Sequence, residues 1–183
     1  MTHHDPTFWL LARAAGLTAY VLLGASVLAG LTLRTRPARR LRLPLVAEAH
    51  KTLAVASLAA VALHGSALVL DSTVRVTPAA LVVPGLVAYR PAAVAAGVVA
   101  AWLLTIITAS FWMRRRLGVR AWRRLHKATY LLFVLAAAHG LTAGTDSSQP
   151  WGQALYLGMP ALVSFAACWR ILTVAGGRTV ARA

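Results

Sequence analysis

The hydrophobic positions of this chain fall into five long runs, separated by short polar stretches. None of the runs alternates polar and apolar residues with a period of two, and each is near the length of about 20 residues that a helix needs to cross a bilayer core. Backbone groups inside a bilayer must be paired within their own segment, so such runs form helices. The pattern predicts five transmembrane helices, over residues 8–33, 45–70, 92–113, 122–141 and 153–174.

The composition supports a membrane protein. Of the 183 residues, 59% are hydrophobic and 13% are charged, whereas about a quarter of the residues of a soluble domain are charged. We therefore expect an all-α integral membrane bundle that forms a single domain over residues 1–183, with membrane lipid as its surroundings.

The net charge of +15 raises the question of nucleic-acid binding. The arginines, however, stand in short clusters between the hydrophobic runs and not on one amphipathic face or beside stacked aromatic residues. The enrichment of Arg and Lys in cytoplasmic loops explains the same charges, so we expect no nucleic-acid partner.

The distribution of these cations predicts the orientation of the chain in the cell membrane. One side carries Arg34, Arg36, Arg39, Arg40, Arg42, Arg114, Arg115, Arg116, Arg120, Arg123, Arg124, Lys127, Arg170, Arg178 and Arg182. The other side carries only Arg13, Arg75 and Arg90, together with Asp5, Asp71 and Asp146. We expect a multi-pass protein with its N-terminus outside and its C-terminus in the cytoplasm.

Four histidines form a repeated pattern, because His-Lys is followed by an apolar stretch and then His-Gly in both the second and the fourth predicted helix. Both helices run in the same direction, so His50 matches His126 in depth near the inner face, and His64 matches His139 near the outer face. Neutral imidazole is a good axial ligand of haem iron. The pattern predicts two haem b groups, with these histidines as cofactor-binding residues and iron ligands.

The two spacings are not equivalent in a regular helix. The 14 residues from His50 to His64 span about 21 Å and leave the side chains about 40° apart around the axis. The 13 residues from His126 to His139 leave them about 140° apart. The second spacing therefore predicts a local irregularity in the helix or different side-chain rotamers.

Haem propionates need cationic or hydrogen-bonding partners near the membrane faces. The candidates are Lys51, Arg123 and Arg124 for the inner haem, and Arg13 and Arg90 for the outer one. For each of them the alternative is a role in topology, or a side chain that reaches from the bilayer to the interface.

The stretch Arg114-Arg115-Arg116-Leu117-Gly118 is followed by Trp122, Leu125-His126, Tyr130 and His139. This arrangement resembles the signature of the ferric reductase-like transmembrane domain family. Its superfamily includes ferric reductases, NADPH oxidases and the haem-binding membrane subunit of a periplasmic methionine sulfoxide reductase. The resemblance implies a dihaem cytochrome b that passes electrons from a cytosolic donor to an extracytoplasmic acceptor, with the four histidines as axial ligands.

The sequence departs from ferric reductases and NADPH oxidases in one respect. Only nine residues follow Val174, and they contain no GxGxxG motif of a nicotinamide-binding domain. We therefore expect an oxidoreductase component without catalytic residues of its own, reduced by a separate cytosolic flavoprotein reductase or by a quinol. FMN or FAD would belong to that partner or to a site that the sequence does not locate.

Two alternatives remain open at this point. One is a membrane subunit similar to the methionine sulfoxide reductase partner, with one haem, that feeds electrons to a periplasmic oxidoreductase. The other is a non-redox membrane scaffold or transporter that uses its histidines for packing or for protons.

Overall fold

The computed structural model describes residues 6–33, 43–72, 74 and 76–180. The arginine cluster predicted between the first two helices, Asp5, Arg75 and Arg182 lie outside these residues. Of residues 174–180 only the backbone is described, so nothing is said of the Arg178 side chain.

The described residues form helices and contain no strand, which confirms the all-α class. The helices are α1 Thr7–Thr32, α2 Leu43–Leu70, α3 Pro91–Leu117, α4 Val119–His126, α5 Thr129–Ala143 and α6 Pro150–Val180, with a short 3-10 helix, Pro78–Leu81, before α3. Four segments are long and apolar enough to cross a membrane, namely α1, α2, α3 and the part Pro150–Thr173 of α6. The protein is therefore a multi-pass membrane protein.

The predicted single helix over 122–141 is wrong in its continuity, because the chain forms α4 and α5 with a break at Lys127 and Ala128. At this break the backbone bonds change from the α-helical to the 3-10 pattern: the N–H groups of Lys127, Ala128 and Tyr130 donate to carbonyls three residues earlier. With 15 residues, α5 alone is about 22 Å long, shorter than the bilayer core of about 30 Å. A fifth span is therefore not established by helix length.

The helices pack in two main pairs, α1 with α2 and α3 with α5, and α6 lies against α1 and α5. Buried apolar side chains from α1, α3, α5 and α6 form one core, which includes Tyr20, Leu23, Leu104, Leu132, Phe133, Tyr156 and Val163. Large apolar residues also cover the outside of the bundle, and Phe165 and Ile171 are both 67% exposed. A surface of this kind suits lipid and not water.

Candidate functional site

The four histidines lie in two pairs between the helices. The ring centroids of His50 and His126 are 5.9 Å apart, with an angle of 80° between the ring planes. Those of His64 and His139 are 6.4 Å apart, with an angle of 75°. The structure therefore brings together the residues that the sequence pattern matched in depth, and all four side chains are half-buried.

These separations would allow both imidazoles of a pair to bind one metal ion. A metal–imidazole bond is about 2.0–2.1 Å long, so the centroids of two such rings lie about 6 Å apart. Among the described residues, no three His, Cys, Asp or Glu side chains converge on one point. Each pair could supply two imidazole ligands, the number that haem iron takes from a protein when the porphyrin supplies the other four.

Hydrogen bonds determine which nitrogen is available in three of these rings. Nδ1 of His50 lies 2.7 Å from the Ser26 carbonyl oxygen, and Nδ1 of His64 lies 2.7 Å from that of Ala12. A backbone carbonyl only accepts, so Nδ1 carries the proton and Nε2 has the free lone pair. His139 repeats the arrangement, since its Nδ1 lies 2.9 Å from a carbonyl oxygen of α3. Metal-binding histidines are commonly held in this way.

A glycine lies one helical turn after each accepting carbonyl. The carbonyl–glycine pairs are Ala12–Gly16 for His64, Ser26–Gly30 for His50 and Ala93–Gly97 for His139. An added Cβ would lie 2.6 Å from the nearest imidazole atom at Gly97, 3.0 Å at Gly16 and 3.1 Å at Gly30. Helical Cα–Cβ bonds tilt toward the N-terminus, so a side chain four residues later would cover the carbonyl. The glycines keep these carbonyls open to the imidazoles.

The fourth histidine, His126, has different surroundings at the end of α4. Its ring stacks on Trp122 with centroids 5.3 Å apart and planes 28° apart. Its carbonyl oxygen accepts a hydrogen bond of 2.7 Å from the hydroxyl of Thr129, immediately beyond the break between α4 and α5. This break is the local irregularity that the 13-residue spacing predicted.

The 3-10 bonds at the break reduce the angular mismatch between His126 and His139. A 3-10 helix turns about 20° more per residue than an α-helix, so three such residues add about 60°. The offset thereby falls from about 140° to about 80°. Both rings lie beside their partners on α2.

Comparison with known protein families matches residues 15–137 to the family described as ferric reductase like transmembrane component. The match covers about two thirds of the chain and includes His50, His64 and His126. The chain belongs to this family. His139 lies two residues beyond the matched region, so its place in the site rests on the geometry above. Searches of curated proteins and of solved structures find no match.

In this family member, the two cations proposed for the outer propionates have protein partners. The guanidinium of Arg13 binds both carboxylate oxygens of Asp146, with 2.5 Å between Nε and Oδ2. Arg90 donates to the carbonyl oxygen of Thr142 and has its guanidinium carbon 5.5 Å from the centre of the Tyr89 ring. Both contacts lie at the same end of the bundle, near the start of α3 and the end of α5, and the propionate role stays a prediction.

The cations proposed for the inner propionates lie on α2 and α4. Lys51 binds Glu48 in an ion pair of 2.9 Å, and its side chain follows His50 directly on α2. Arg123 and Arg124 are exposed on α4, within one turn of His126. Their role toward a propionate also stays a prediction.

The sequence pattern did not reveal the contacts of Gly16, Gly30 and Gly97 with the histidines. One signal was present for the first two glycines, because they are 14 residues apart, as are His50 and His64. Antiparallel helices with equal spacings bring both pairs into contact at once. Trp122 was also missed as a neighbour of His126, although four residues form about one turn of a helix.

Proposed function

We propose that this chain is a membrane dihaem cytochrome b, with one haem b on His50 and His126 and the other on His64 and His139. Its family membership supports a membrane electron-transfer component. The observation that carries the proposal is the pair of imidazole–imidazole distances, 5.9 and 6.4 Å, each of which would let both rings hold one haem iron. When bound, haem supplies reversible one-electron exchange at its iron.

The residues of the chain hold and orient this chemistry. The backbone carbonyls of α1 and α3 keep the proton on Nδ1 of three histidines, so their Nε2 atoms remain available as ligands. The indole N–H of Trp122 is buried and has no acceptor within the described part of the chain. A buried N–H group calls for an acceptor, and an oxygen atom of a molecule bound beside His126 would supply one.

We further propose that α4 and α5 together make the fifth crossing, with the N-terminus outside. The described cations Arg114, Arg123 and Arg124 support this orientation, since they lie at the end of the bundle opposite Asp146. Alkaline phosphatase fused to either terminus tests it, because the enzyme is active only outside the cytoplasm. Activity on an N-terminal fusion and none on a C-terminal fusion is expected, and the reverse would contradict the orientation.

In this orientation, the His50–His126 site faces a cytosolic donor and the His64–His139 site faces an extracytoplasmic acceptor. The donor would be a separate flavoprotein reductase, with FMN or FAD, or a quinol from the membrane. The chain would then act as the membrane component of an oxidoreductase.

The test is a reduced-minus-oxidised visible spectrum of the purified protein, with haem quantified per chain. We expect a Soret band and two haems, and His139→Leu should leave one. A colourless protein would overturn the proposal in favour of a non-redox scaffold or transporter. One haem in the unaltered protein, with a co-purifying soluble oxidoreductase, would overturn the dihaem proposal and favour the methionine sulfoxide reductase-like alternative.

A further inference from the structure

The two histidines of α2 have matching contacts with α1 that differ by one hydroxyl group. His50 reaches the carbonyl of Ser26 and His64 reaches that of Ala12, with the same Nδ1–O distance of 2.7 Å. Both accepting residues are buried, with 3% of Ser26 and 2% of Ala12 exposed. The residue that presents the carbonyl is therefore serine at one site and alanine at the other.

The hydroxyl of Ser26 makes two contacts with His50. Its Oγ lies 3.0 Å from Nδ1 and also 3.0 Å from the backbone oxygen of His50. The backbone oxygen only accepts, so the hydroxyl proton points there and an Oγ lone pair is left for the Nδ1–H group. The N–H of this imidazole is therefore shared between two acceptors, the carbonyl and the hydroxyl of Ser26. Among the residues that the structure describes, the N–H of His64 has one acceptor, the carbonyl of Ala12.

We infer that Ser26 is a positioning residue that lowers the midpoint potential of the His50–His126 site relative to the His64–His139 site. A second acceptor on Nδ1–H places more electron density on the ring and makes Nε2 a more basic ligand. A more basic axial ligand stabilises ferric over ferrous iron. An electron shared between the two sites would then be favoured on the His64–His139 haem. The inference rests on the proposed dihaem function and adds to it a direction of electron transfer.

The experiment measures the midpoint potentials of both haems by spectroscopic redox titration of the purified full chain. Ser26→Ala removes the extra acceptor and should raise the potential of the His50–His126 haem, with the other unchanged. Ala12→Ser places a hydroxyl at the matching position and should lower the potential of the His64–His139 haem. A His139→Leu variant, which retains only the His50–His126 haem, assigns each potential to its site.

Ser57→Ala is the matched control. The Ser57 hydroxyl donates to the carbonyl of Ala19 at 2.9 Å, between the same two helices, seven residues from each histidine. Its loss removes an interhelical hydrogen bond but no contact with an imidazole, so the difference between the two potentials should not change.

The outcomes separate this inference from the function on which it rests. Absence of haem from the unaltered protein would overturn both. Two haems with potentials that neither Ser26→Ala nor Ala12→Ser shifts would overturn the role of Ser26 alone. If Ser26→Ala does not retain its haem, the direction of the shift in Ala12→Ser decides the matter.

Discussion

The two helix pairs of the bundle deliver their histidines in different ways. In the α1–α2 pair, three side chains spaced by seven residues donate to three carbonyls with the same spacing: His64 to Ala12, Ser57 to Ala19 and His50 to Ser26. In the α3–α5 pair, His139 donates to the carbonyl of Ala93 on α3, and His126 lies on the other side of an interruption of the helix. We call α1–α2 the periodic pair, because its contacts repeat every seven residues. We call α3–α5 the adapted pair, because its helix is interrupted between the two histidines.

The difference shows two ways in which a helix can present two histidines to the same neighbouring helix. Seven residues turn an α-helix through nearly two full turns, so His50, Ser57 and His64 lie on one face without distortion. A spacing of 13 residues does not return to the same face, and the break at Lys127 and Ala128 provides the missing rotation. In the periodic pair, the positions of the histidines depend on the helical register. In the adapted pair, they depend on the break and on the close packing of His139 against Gly97.

The largest expected effect is on haem content, and it comes from filling the close contact between Gly97 and His139. Gly97 and Gly16 contact the two histidines of the same site, but a Cβ would lie 2.6 Å from His139 at Gly97 and 3.0 Å from His64 at Gly16. Overpacking of this kind costs about 1–3 kcal/mol. Gly97→Ala should therefore displace His139 and reduce the haem content toward one per chain. Gly16→Ala should weaken haem retention less, as measured by haem per chain after purification.

Gly158→Ala is the control for these substitutions, because its Cβ would meet no atom within 4 Å. It lies in α6 and removes a helical glycine without crowding a histidine, so its haem content should equal that of the unaltered protein. Equal losses in Gly97→Ala and Gly158→Ala would show that helix flexibility, and not clearance for the ring, explains the effect.

Much of this organisation was open to sequence reasoning. The hydrophobic runs gave α1, α2, α3 and α6 to within a few residues, apart from the longer C-terminal end of α6. The matched depths of the histidines in two parallel helices also predicted that His50 lies near His126 and that His64 lies near His139. These features follow from periodicity and length, which can be read along a single chain.

The remaining features depend on contacts between distant segments. The 13-residue spacing indicated that an irregularity was needed, but not that it would lie at Lys127 and Ala128. The contact between Gly97 and His139 depends on how α3 and α5 approach, which no local pattern encodes. The ion-pair partner of Arg13 could not be predicted from the sequence, because Asp146 is 133 residues away in the chain.

The Arg13–Asp146 ion pair connects α1 of the periodic pair to the loop after α5. Its loss should have the second largest effect, a decrease in thermal stability. The side chain of Asp146 is 4% exposed and that of Arg13 is 34% exposed. Asp146→Asn leaves the guanidinium without a carboxylate, and the loss of one partner of a partly buried pair costs about 1–3 kcal/mol. We expect a lower midpoint of thermal unfolding in detergent, with most of it recovered in the double variant Arg13→Gln with Asp146→Asn.

The ion pair between Lys51 and Glu48 provides the comparison, since these side chains are 39% and 64% exposed. An exposed pair contributes about 0–1 kcal/mol, so Glu48→Gln should change the unfolding midpoint little. A shift as large as that of Asp146→Asn would mean that burial does not set the strength of the Arg13 pair.

The smallest expected effect concerns the break between α4 and α5. The Thr129 hydroxyl donates to the carbonyl of His126 at 2.7 Å and so holds the residue that precedes the break. Thr129→Val keeps the shape of the side chain and removes this bond, a loss of about 0.5–1.5 kcal/mol. We expect haem at the His50–His126 site to dissociate roughly two- to tenfold more readily, measured as transfer to apomyoglobin, while the other site is unaffected.

A threonine in an uninterrupted helix distinguishes this role from a general effect of the substitution. Thr105 donates to the carbonyl of Ala101 at 2.8 Å within α3, where each carbonyl also has its regular helical partner. Thr105→Val should therefore leave haem transfer unchanged at both sites. If Thr105→Val and Thr129→Val act equally, the break is maintained without the Thr129 hydroxyl. If only Thr129→Val acts, and only on the His50–His126 site, then the adapted pair uses this hydroxyl where the periodic pair uses helical register.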